Sequence, residues 1–251
     1  MAGAAVLGRL KPLTWQFCDV AELVAETPRV KTITFDVPGW PGHRAGQHVD
    51  VRLTAEDGYQ AQRSYSIASA PEDERLVLTV ERLEEGEVSP YLFDVLTVGD
   101  ELELRGPIGG YFVWTPALGG PILLIAGGSG IVPFRSILRH RAATHSTIGA
   151  RLLYSARSIG DVIYRDELTR LATNGTDVAL TLTREWPQEW TGYRRRIDME
   201  LLREFAWTPA ERPLVYVCGP SGFVESAANA LVALGHDAER IRTERFGPTG
   251  T

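Results

Sequence analysis

Residues 121–133 read Pro-Ile-Leu-Leu-Ile-Ala-Gly-Gly-Ser-Gly-Ile-Val-Pro. A continuous apolar run such as 121–125 suits a strand buried on both faces. The glycines after it and the amphipathic stretch 133–143 describe a tight turn into a helix. Such a unit calls for a parallel sheet covered by helices. The rest of the second half repeats the pattern. Strands are expected at 150–154, 178–183, 214–218 and 241–246, with helices at 166–172, 197–205 and 222–234. This alternation predicts an α/β doubly wound parallel sheet.

The first half is different. Segments 30–37, 48–53, 76–82 and 101–105 alternate apolar and polar residues with period two, and Gly and Pro clusters separate them. Several short strands with regular turns predict an antiparallel β-barrel or sandwich. A short helix is expected at 89–96, with Ser89 as its N-cap and Pro90 in its first turn. The change of character falls in 115–120, which divides the chain into domains 1–116 and 117–251. At roughly 150 residues per domain, 251 residues fit two.

The net charge of −6 argues against nucleic acid or an anionic membrane as partner. No apolar run approaches the roughly 18 residues of a membrane span. Cys18 and Cys218 are the only cysteines. An iron–sulfur cluster held by four thiolates, or a four-cysteine zinc site, is therefore excluded within this sequence. No disulfide framework is expected, which points to a reducing cytoplasm. The five histidines show no metal-ligand spacing, so they are read as turn and surface residues and no metal is expected. Only Lys11 and Lys31 are lysines among 26 basic residues, so phosphate recognition falls to arginine.

Two segments carry chemistry on their own residues. In 126–133 the glycines let the backbone approach a phosphate, and the helix N-terminus favours its charge. Pro133 stands where the usual dinucleotide fingerprint has its last glycine. Arg63-Ser-Tyr-Ser66 lies in an extended segment, with Arg63 and Tyr65 on one face. Arginine offers a fork for phosphate, and Tyr65 a surface for a flat ring. Ser66 points the other way unless a kink brings it round.

Five stretches in order, Arg63-x-Tyr-Ser66, Gly86-x-x-Ser89, Gly106-Pro-x-Gly109, Gly128-Ser-Gly-Ile-Val-Pro133 and Cys218-Gly-Pro220, resemble the ferredoxin–NADP reductase superfamily over nearly the whole chain. The resemblance implies an N-terminal flavin-binding barrel and a C-terminal pyridine-nucleotide domain whose ring systems meet in a cleft. It implies FAD rather than FMN. Arg63, with Ser64 beside it, would serve the flavin pyrophosphate, Tyr65 would cover one face of the isoalloxazine, and Ser66 would sit near its N5. Val80 and Arg82 would line the adenosine-diphosphate part, and Gly86, Val88 and Ser89 would hold the pyrophosphate. Gly106-Pro107 would be the turn that closes the barrel.

On the other side of the cleft, Gly128, Ser129, Gly130 and Pro133 would hold the nucleotide phosphates, with Ser129 near the nicotinamide. Cys218, before Gly219 and Pro220, would face the nicotinamide and position it rather than act as a nucleophile. Glu244 would help proton supply, and Phe246 would shield the other flavin face. Thr183, Arg184 and Arg196 would clamp a 2′-phosphate, favouring NADP(H) while leaving NAD(H) open, with Arg157 near the adenosine.

The implied activity is an FAD-dependent oxidoreductase that passes hydride from NADPH to the flavin, then single electrons to an acceptor. With two cysteines, a separate acceptor protein is expected, either a ferredoxin or an oxygenase component, and the reductase itself as a monomer. Two alternatives stand beside it. One is direct reduction of free flavin, ferric chelate or quinone. The other is an electron-transfer subunit of a larger complex.

Overall fold

The structure, a computed structural model, describes residues 13–246 except residue 174. The outer limits of both expected domains, residues 1 and 251, lie outside the described residues. Six strands form an antiparallel sheet: β1 Gln16–Thr27, β2 Val30–Asp36, β3 His48–Thr54, β4 Gln60–Ser66, β5 Leu76–Glu81 and β6 Glu101–Ile108, in the order β4-β3-β6-β1-β2-β5. The two edges meet at an antiparallel bridge from Ile67 to Leu78, which closes the sheet into a barrel. Its interior is filled by apolar side chains such as Ile33, Phe35, Val51, Leu78 and Leu104.

Strand β1 had no expected counterpart. Its register shifts between Val20 and Glu22 and again between Ala25 and Thr27. Each bulge resets the side-chain alternation, so no period-two run survives for the eye to find. Gly106-Pro107 does not form the expected closing turn. It lies inside β6, where a Cβ on Gly106 would fall 2.7 Å from Val49 Cγ1, so glycine is needed for close strand packing. The short helix begins earlier than expected. It runs as α1 Val88–Pro90 and continues as a π turn, Tyr91–Val95. Ser89 is not its N-cap. Its hydroxyl instead accepts from Leu83 N–H at 3.1 Å, tying the turn before the helix to the helix itself.

The second half builds a five-stranded parallel sheet in the order β11-β10-β7-β8-β9. Its strands are β7 Ile122–Gly127, β8 Ala150–Ala156, β9 Thr176–Leu182, β10 Leu214–Pro220 and β11 Ile241–Phe246. The helices are α2 Val132–Ala143, α3 Arg165–Thr173, α4 Met199–Phe205 and α5 Ser221–Ala233. Asp198 caps α4, accepting from Leu201 N–H at 2.9 Å. The strand order reverses between β7 and β10. A ligand crevice is expected at such a switch point, outside the carboxyl ends of the strands.

The two sheets share one apolar seam. Val30, Ala45, Ala68, Phe112 and Trp114 from the first half pack with Phe134, Tyr164 and Tyr216 from the second. Among the described residues, no helix is long and apolar enough to cross a membrane.

Candidate active site

The switch point brings the two glycine segments together. A Cβ on Gly130 would lie 2.1 Å from the Cys218 carbonyl oxygen, so the β7–α2 turn rests directly on the end of β10. Gly128 takes a φ of +55°, which favours glycine. Beside this turn opens a cleft between the two halves of the chain. Gly127, Gly128, Ser129, Pro220, Phe223 and Phe246 form one wall. Arg29 and Glu81 reach in from the barrel, and Arg157 and Thr183 from the ends of β8 and β9.

Cys218 pairs in register with Glu244, and Pro220 with Phe246, on adjacent strands. Burial pushes the Cys218 thiol well above its usual value, and the Glu244 charge adds to the shift. Cys218 is therefore held as a neutral thiol, as a positioning role requires. Burial also pushes the Glu244 carboxyl up to about 7, against the opposing pull of the Ser66 hydroxyl. Ser66, at the end of β4, thus meets Glu244 across the two domains. Glu244 Oε2 is buried with no hydrogen-bond partner. An orphaned buried oxygen beside Cys218 fits a site completed by a bound group.

His48 lies on the same cluster, its Nδ1 3.8 Å from Glu244 Oε1. Burial pulls the His48 pKa down. Neither His48 nor Glu81 was singled out from the sequence. In the sequence His48 reads as a turn residue, and Glu81 is one more polar position between Val80 and Arg82. Glu81 Oε2 accepts from Ser129 Oγ at 2.8 Å, across a separation of 48 residues.

On the barrel side, Arg63 and the 86–89 turn are brought together. Arg63 Nη2 donates to Glu87 Oε2 at 3.2 Å, and Tyr59 also holds Glu87 at 2.6 Å. Ser64 faces away and donates to Asp50 Oδ1 at 2.7 Å, while Asp50 Oδ2 accepts from Arg105. Tyr65 packs against the barrel core. The side chains of Val80 and Val88 are fully buried in that core, which leaves only their backbone groups to meet a bound group. Arg82 is taken up by Asp94 at 2.8 Å. A Cβ on Gly86 would fall 2.8 Å from Ser89 Oγ, which makes the 86–89 turn a close-packed cradle.

Beyond Thr183, Arg184 N–H donates to the Arg157 carbonyl at 2.9 Å, joining the loops after β8 and β9. Of the triplet 194–196, Arg195 is held by Asp198 and Glu200, both at 2.6 Å, and Arg194 lies over Trp186. Among the described residues Arg157, Arg184 and Arg196 are exposed and make no ion pair. Pro133 is buried at the start of α2, where proline fits the first turn.

Comparison with known proteins agrees with this geometry. Residues 18–113 match an oxidoreductase FAD-binding domain, and residues 124–229 an oxidoreductase NAD-binding domain. The chain is 32% identical over 235 residues to the glycine betaine monooxygenase reductase subunit of Pseudomonas aeruginosa, covering 91% of this chain and 63% of that one. It therefore spans less than two thirds of that relative. A ferredoxin–NADP reductase B of Sorangium cellulosum is 36% identical over 210 residues, covering 80% of this chain and 84% of the relative. The FAD/NAD-binding domain of a nitric oxide dioxygenase from Vibrio cholerae superposes with a TM-score of 0.83 at 26% identity, covering 93% of this chain and 99% of that one. With a flavin domain and a nicotinamide-nucleotide domain meeting at one cleft, this chain belongs to the ferredoxin–NADP reductase superfamily.

Proposed function

We propose that the chain is an NAD(P)H-dependent flavoprotein reductase that delivers single electrons to a separate ferredoxin or oxygenase component. The observation that carries this reading is the meeting of Ser66, Cys218 and Glu244 at the carboxyl ends of β10 and β11, where barrel and nucleotide sheet face each other. Bound FAD would supply hydride acceptance and one-electron release, chemistry that amino-acid side chains lack. The residues do the rest. Arg63 and the 86–89 turn bind a pyrophosphate, and Tyr65 and Phe246 cover the faces of a flat ring. Cys218 keeps the nicotinamide in place as a neutral contact. Glu244, with a carboxyl near neutrality, holds or releases a proton at working pH.

NADPH is the nucleotide we assign. Arg157 and Thr183 line the cleft, and Arg157, Arg184 and Arg196, exposed and without an ion pair among the described residues, would bind a 2′-phosphate. The monooxygenase-reductase relative supports an oxygenase component as acceptor. These 251 residues hold two cysteines, both free and buried, so the iron–sulfur acceptor uses other ligands. Free thiols also support placement in a reducing cytoplasm.

The test is an anaerobic absorbance titration of the FAD-loaded protein with NADPH and with NADH. Faster bleaching by NADPH is expected, and Arg184→Ala should reduce that preference about tenfold, the worth of a charged hydrogen bond. Turnover is then compared with a plant-type ferredoxin and with ferricyanide or free flavin. Failure of ferredoxin to accept electrons, with rapid turnover on the small acceptors, would replace the proposed partner.

A further inference from the structure

Along β5, alternate side chains turn towards the nucleotide domain. Val77 packs in the shared apolar seam, Thr79 accepts from the Tyr164 hydroxyl, and Glu81 receives the Ser129 hydroxyl at 2.8 Å. The third contact differs in kind, because it places a carboxylate on a turn shaped for phosphate. Ser129 stands between Gly128, with its positive φ, and Gly130, which is pinned against the Cys218 carbonyl. This turn leads into α2, a helix of 12 residues. A phosphate is drawn to such a place by unsatisfied N–H groups and the helix dipole. Glu81 Oε2 comes within 4.0 Å of where a Cβ on Gly128 would stand.

Among the described residues Glu81 makes no ion pair, although Arg29 and Arg157 line the same cleft. We propose that Glu81 is an internal competitor for the nucleotide-phosphate site. Its carboxylate occupies the Ser129 hydroxyl in the free protein and opposes the entering pyrophosphate of NAD(P)H, so that Glu81 sets nucleotide affinity. This inference rests on the reading of the chain as an NAD(P)H reductase. Two like charges a few ångströms apart in a half-enclosed cleft repel measurably. The repulsion acts on reduced and oxidised nucleotide alike, so it weakens product retention along with substrate binding.

The experiment titrates FAD-loaded wild type, Glu81→Gln and Glu81→Ala with NADP+ and with NAD+, reading the flavin difference spectrum. Inorganic pyrophosphate, added as a competitor of NADP+, probes the phosphate subsite alone. Both variants are expected to bind both nucleotides about tenfold more tightly, and pyrophosphate to compete at correspondingly lower concentration. A damaged fold loosens binding, so a gain in affinity separates this role from a structural one. Unchanged or weaker nucleotide binding in both variants overturns the proposal and makes Glu81 a nucleotide ligand or a packing residue. A wild type with no spectral response to either nucleotide overturns the reductase reading, and this inference with it.

Discussion

Glu244 is the residue whose chemistry its surroundings alter most usefully. Burial raises its carboxyl to about 7 from an ordinary 4.5. Between those values the folded chain keeps a proton that the unfolded chain has released. Stability is therefore greatest below the ordinary value and falls as pH rises through about 7. Thermal melting of wild type and Glu244→Gln across pH 4 to 8 should show that decline in the wild type and its loss in the variant. Steady-state electron transfer should change with an apparent pKa near 7 in wild type only. A profile shared by both proteins would assign the titration to another group, His48 being the neighbour to test next.

At the scale of elements, the β7–α2 turn joins two roles in one geometry. Gly130 has an ordinary φ, so its requirement is for space: a methyl group there meets the Cys218 backbone carbonyl at 2.1 Å. Neither backbone segment yields easily, because β7 and β10 are hydrogen-bonded neighbours in the sheet centre. Gly130→Ala should cost about 3 kcal/mol, the upper part of the range for overpacking. It should also abolish nucleotide binding more than it affects FAD retention. Denaturant unfolding and FAD content measure the two effects; equal loss of both cofactors would show that the strain spreads to the barrel. Strand β5 makes the complementary contribution from the other domain. Its alternation carries one apolar contact, one neutral hydrogen bond and one carboxylate to the seam, so a single strand ties the domains together and reaches the cleft.

The whole molecule is held by a seam that is both apolar and polar. Trp114 and Phe112 leave the barrel sequence to pack with Phe134 and Tyr216. Around them, Ser136 donates to the Ser69 carbonyl at 2.6 Å, Arg139 holds Asp73 at 2.9 Å, and His140 meets Glu72 at 2.7 Å. Such a shared core resists separate opening of the domains. A single cooperative thermal transition, coincident by circular dichroism and by tryptophan fluorescence, is the expected outcome. Two resolved transitions would show that the seam is weaker than the contacts within each domain.

The two kinds of sheet and the order of the binding segments are legible in the chain alone. These are properties of local pattern: period two in the first half, continuous apolar strands followed by glycine turns and helices in the second. The chain's own residues also marked Arg63, Tyr65, Ser89 and Gly130, and the family resemblance added Cys218 and Glu244. Strand β1 was hidden because its bulges break the alternation, and Ser89 was misread because an N-cap and a tie to Leu83 look alike in sequence. What each of these residues faces is set by the packing of the two halves. Val80 and Val88 went into the core, Ser64 turned to Asp50, Glu81 came to the cleft and His48 to Glu244. The reason is physical: a hydrogen bond or a desolvated carboxyl depends on distance in space. The pairs Glu81–Ser129 and His48–Glu244 join chain segments far apart in sequence, which only the packed domains bring within reach.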